Sequence, residues 1–147
     1  MLIDARGKKF VDCSAEGIAL YKAGKYVEAL RCFQSSVRYA REESATALEL
    51  CELLNNLATS QISLAKLLDA ESTLKEVFSL LDAPSNIDLD EFRIMRALCL
   101  NTRCNLFSIL SQLDTLEAQL QESVDLLIDE EKYIYASELI WQLCFLY

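Results

Sequence analysis

Apolar residues recur at intervals of three and four along nearly the whole chain, as in Leu50, Leu53, Leu54, Leu57 and again in Leu74, Val77, Phe78, Leu81. That period puts one apolar stripe on each of a series of amphipathic helices and leaves no stretch alternating as a strand would. Taken with the breakers, it predicts helices over about residues 10–23, 26–42, 45–63, 67–82, 89–110, 113–128 and 130–147. The first two meet at Ala23, Gly24 and Lys25, because a glycine takes the left-handed conformation that ends a helix at little steric cost. Small residues at Gly17 and Ala29 allow the two helices to approach closely, with Leu20, Tyr26 and Phe33 filling the space between and behind them. Ser44 and Asp88 are expected as N-caps. Pro84 disfavours helix at Ala83 and marks a loop through Asn86.

The opening hairpin is copied along the chain. Ala58 falls where Gly17 stood, followed by Gln61 for Leu20, Leu67 for Tyr26, Ala70 for Ala29, Leu74 for Phe33 and Val77 for Ser36. Cys104, Phe107, Leu113, Leu116, Leu120 and Ser123 fall at the same offsets, and the copies begin 41 and then 46 residues apart. The expectation is a single all-α domain over 1–147, an α-α superhelix of about seven antiparallel helices. Its parts are repeat 1 at 10–43, repeat 2 at 44–83, repeat 3 at 88–128, and a partial fourth repeat or capping helix at 129–147.

With a small residue in the first helix, an apolar residue soon after, then Tyr26, Ala29 and Phe33, the first unit resembles the tetratricopeptide repeat. The long repeats and the run Leu54, Asn55, Asn56, Leu57, Ala58 are similar to the kinesin-light-chain type. The resemblance implies a right-handed superhelix whose concave wall is lined by the first helix of each repeat. Helical spacing beside the buried stripe selects the same flank: Val11, Ser14, Ile18, Tyr21 and Lys22; Glu52, Asn55, Thr59 and Ile62; Leu98, Asn101, Asn105 and Ser108; Trp141 and Phe145. That wall suits a peptide or a helix of a partner protein, basic or mixed apolar in character. Asn55, Asn56, Asn101 and Asn105 are candidates to hold a peptide main chain, since each amide offers an acceptor and two donors. Some members grip a C-terminal carboxylate; at those places this chain has Ser14, Ile18, Asn56, Leu98 and Thr102, of which Asn56 alone fits.

Composition agrees with helices: three glycines and one proline are too few for the turns of a sheet protein. The net charge of −9 is uneven. Residues 1–41 carry eight Lys/Arg against four Asp/Glu and the remainder six against nineteen, balances of +4 and −13. Most of the surface therefore disfavours nucleic acid and favours basic partners. The six cysteines lie in apolar helical stretches and read as reduced, buried thiols. No stretch reads as a signal peptide or a membrane span, so the expectation is a cytoplasmic protein without membrane insertion.

Catalytic chemistry is not expected. The absence of histidine removes Ser/His and Cys/His nucleophile pairs and the usual neutral-pH base. No C-x-x-C pair or phosphate-cradling glycine motif occurs, so neither a metal nor another cofactor is expected. Two roles are left: an adaptor that binds a partner segment in its concave groove, or a structural subunit of a larger assembly. The second draws on residues 130–147, which look like the first helix of a repeat without its second. Trp141, Phe145 and Leu146 would then be covered by a homodimer partner or by a protein supplying the absent helix.

Overall fold

Chain reversals are made by left-handed residues at helix ends. The computed structural model describes residues 8–86 and 89–129, in which helices α1 (Lys9–Lys22), α2 (Tyr26–Glu42), α3 (Ala47–Ser63), α4 (Leu67–Leu81) and α5 (Asp90–Asp129) follow one another with no strand. At the α1 end Gly24 takes φ +79°, which lets Lys25 N–H donate to the Leu20 carbonyl at 2.9 Å and Gly24 N–H to that of Tyr21 at 3.0 Å. This double bond to the last turn is the Schellman motif. The α3 end repeats it 41 residues later: Lys66 donates to Gln61 at 2.8 Å, Ala65 donates to Ile62 at 3.0 Å, and Ala65 itself stands at φ +58°.

Between the hairpins, Ser44 is not the expected N-cap. It is the left-handed residue that closes α2, at φ +55°. The cap falls to Thr46, whose Oγ1 accepts from Glu49 N–H at 3.1 Å while Glu49 Oε1 accepts from Thr46 N–H at 3.0 Å. Such a reciprocal box satisfies two helix-end donors that a cap two residues earlier could not reach.

Packing obeys the 41-residue register. Ala29 and Ala70, Phe33 and Leu74, Val37 and Phe78, Ala40 and Leu81 are all buried pairs. α1 packs on α2, α2 on α3 and α3 on α4. Gly17 is needed for close approach, since a Cβ there would stand 2.7 Å from the Phe33 ring. Where the first hairpin has Leu20 and Cys32, the second has Gln61 and Thr73, and the buried Thr73 Oγ1 donates to Gln61 Oε1 at 2.8 Å. Two polar groups thus replace two apolar ones at the same places, in hydrogen-bond contact with each other, and the single Thr73 hydroxyl proton is shared with the Asp69 carbonyl 2.9 Å away. Tyr26 departs from the expected interior role: it is 39% exposed and rests against the Tyr21 ring, centroids 4.9 Å apart.

α5 joins this core through Phe92, Met95 and Cys99. Arg96 donates to the Leu81 carbonyl at 2.9 Å and pairs with Asp82 at 2.6 Å, capping the negative end of α4, and the Arg103 guanidinium lies 4.0 Å from the Phe78 ring centroid. The helices expected at 89–110 and 113–128 are one helix, so the described residues contain five helices where the sequence suggested six. No glycine or proline interrupts 90–129, and closing a hairpin there would place Leu116 in the role of Ala29 and Ala70, both of which are fully buried against a partner helix. Leu116 is instead 42% exposed. Compact packing divides the chain into two units, one up to Leu106 and one from Phe107, and within the second Val124 is buried. Asp88 and the helix expected at 130–147, with Trp141, Phe145 and Leu146, lie outside the described residues. No described helix is long and apolar enough to cross a membrane.

Candidate functional site

α1 and α3 are the first helices of the two hairpins, and their shared face carries two depressions in a row. The first, about 260 Å³, is lined by Phe10, Val11, Ser14, Ala15 and Ile18 of α1 and by Glu49, Glu52 and Leu53 of α3. The second, about 170 Å³, is lined by Ile18, Tyr21 and Lys22, by Asn56 and Thr59, and by Phe33 of α2 behind them. Ile18 belongs to both and forms the wall between them. It is 37% exposed, an apolar side chain standing in the groove.

At the far end α1 and α3 are tied together. Ser63 Oγ donates to the Thr59 carbonyl at 3.1 Å and lies 2.8 Å from the Tyr21 hydroxyl, which donates to its free lone pair. Thr59 Oγ1 in turn donates to the Asn55 carbonyl at 2.9 Å. These bonds hold Tyr21 and Thr59 as fixed walls of the second depression. The mouth of the first carries two carboxylates, while Lys22 stands at the second.

Of the residues selected on the sequence, Ser14, Ile18, Tyr21, Lys22 and Thr59 come together here. Asn55 lines neither depression; its side-chain oxygen is buried without a hydrogen-bond partner, and its neighbour Asn56 takes the place expected of it. Asn101 and Asn105 are exposed on α5, following Ile94 and Leu98 at helical spacing, and line neither depression. Ser108 is exposed on the part of α5 that belongs to the second unit. Phe10, Glu49 and Leu53 were not selected. The stripe Glu49, Glu52, Asn56, Thr59 runs at spacings of three, four and three and shares Glu52 and Thr59 with the expected stripe Glu52, Asn55, Thr59, with Asn56 in place of Asn55. The capping-box pattern Thr46-x-x-Glu49 marks the true start of α3 and places Glu49 in its first turn.

Among the described residues no cluster of potential metal ligands occurs. Cys51 and Cys99 are fully buried. Burial, together with the charge of Glu76, pushes the Cys51 thiol up to about 11, and burial, together with Cys51, pushes Cys99 up to about 12. Such thiols are protonated at neutral pH and act as core side chains. Comparison with family profiles, with characterised proteins and with solved structures gives no match to this chain.

Proposed function

We propose that this chain is a protein-interaction module of the tetratricopeptide kind, an adaptor that holds a segment of a partner protein in the groove between α1 and α3. In this reading the two hairpins are successive turns of a right-handed superhelix and the groove is its concave wall. The observation that supports it most is the pair of adjoining apolar depressions on the face shared by equivalent helices of the two hairpins. Anchoring side chains of a partner gain about 25 cal/mol for each Å² of apolar surface they remove from water there.

The test is affinity purification from native lysate with the wild-type chain and with Ile18→Asp. Ile18 is exposed enough for the substitution to leave the fold intact, which thermal melting checks. Partners retained by the wild type and lost by the variant support the groove. The same partners retained by both would remove it as the binding face.

A further inference from the structure

The two ends of the groove carry opposite charge. Glu49 and Glu52 line the outer depression over the apolar floor of Phe10 and Leu53, and among the described residues neither forms an ion pair. Lys8 holds its ammonium 5.5 Å from the Phe10 ring centroid and makes no ion pair with either carboxylate. At the inner end the charge is that of Lys22. Beside it the Asn56 amide makes no hydrogen bond to another described residue, so its donors and acceptor face the groove without a partner from this chain. A helical ligand has its main chain satisfied internally and gains nothing from such an amide, whereas an extended chain offers free N–H and C=O groups.

From these features we propose that the groove selects an extended protein segment bearing two apolar anchors, with a Lys or Arg beside the outer anchor, and binds it in one direction. The basic residue meets Glu49 and Glu52, and its stem covers the apolar floor. Ser14 and Tyr21 mark the two depressions seven residues apart on α1, about 10 Å at ~1.5 Å per residue. Extended chain of the polyproline-II form covers that distance in about three residues at ~3.1 Å each, and its three residues per turn bring the first and fourth side chains to one face, so the motif is apolar-x-x-apolar. A segment presented in reverse would set its cation against Lys22. The inference rests on the groove being the partner-binding face.

The experiment is selection of random short peptides displayed on phage against the whole chain, followed by fluorescence anisotropy with the synthetic consensus peptide. Glu49→Gln and Glu52→Gln are suitable variants: glutamine preserves the capping box at Thr46, and Glu52 is exposed. The expected consensus has two apolar residues three apart and a flanking Lys or Arg. The double Gln variant should weaken its binding roughly fivefold to tenfold, the scale of two solvent-exposed ion pairs. Peptides that are lost with Ile18→Asp but show no basic preference, or that bind the double Gln variant as tightly, would overturn the polarity while the groove stands. Peptides indifferent to Ile18→Asp, or a library yielding no binder, would remove the groove and the polarity together.

Discussion

The first hairpin pairs Gly17 with Phe33 and the second pairs Ala58 with Leu74, two ways of filling the same space. A methyl group on Gly17 would lie 2.7 Å from Phe33 Cε1 and 2.9 Å from Cδ1, against about 3.5–4.0 Å for carbon atoms at rest. Phe33 is only 2% exposed, so its ring must shift within the packed hairpin or toward the second depression that it backs. Overpacking of this kind costs about 1–3 kcal/mol, and the better helix propensity of alanine returns about 1 kcal/mol. Gly17→Ala should therefore destabilise by roughly 1 kcal/mol. Phe33→Leu alone leaves a gap beside Gly17 and should cost about 1–1.5 kcal/mol. Together they recreate the pair that the second hairpin buries completely, with Ala58 at 0% and Leu74 at 2% exposure. The double variant should then lose about 1 kcal/mol less than the sum of the singles. Urea unfolding followed by far-ultraviolet circular dichroism measures all four species. Additivity within about 0.5 kcal/mol would refute the reasoning, because it would mean that the two side chains do not share one volume.

The corners offer a second prediction of opposite signs: Ala65→Gly should stabilise and Gly24→Ala destabilise, each by roughly 0.5–1 kcal/mol, since left-handed alanine costs about 1–2 kcal/mol and unfolded-chain entropy returns part of it. Nothing lies within 4 Å of a Cβ on Gly24, so packing does not confuse the denaturation midpoints that read this. In the buried polar pair, Thr73→Val should cost about 1–3 kcal/mol by stranding Gln61, and adding Gln61→Leu should recover much of that loss in the same assay. Cys51 and Cys99 make stability fall in alkali. Their thiols ordinarily ionise near 9.0 but stay protonated in the fold to about 11 and about 12, so the stabilisation is whole below pH 9.0 and drains away as pH rises through 11 to 12. A pH series of urea midpoints should show that component, and Cys51→Val with Cys99→Val should lack it.

Hairpins were legible because their determinants are local. Gly24 signals its own corner, and the 41-residue offset carried the second corner to Ala65 without a glycine to mark it. What misled was the same offset applied once more. Leu116 in place of a buried alanine was visible in the sequence, yet periodicity alone does not weigh the volume that such a residue needs, and α5 runs on through the place of the expected corner. The groove was legible on α1 and in part on α3. Glu52 and Thr59 lie on both the expected and the observed stripe, but neighbouring residues stand about 100° apart around a helix, so Asn56 and not Asn55 lines the groove, and Glu49 one turn earlier joins it.

Amide shift mapping by nitrogen-15 NMR, with a groove-selected peptide added to the labelled chain, tests the binding face most directly. Shifts should concentrate at Ser14, Ile18, Tyr21, Asn56 and Thr59, on the two helices that form the groove. Shifts concentrated instead at the exposed apolar residues Val27 and Leu68, or at Ile94 and Leu98 on α5, would contradict it and move the interaction to another face of the protein.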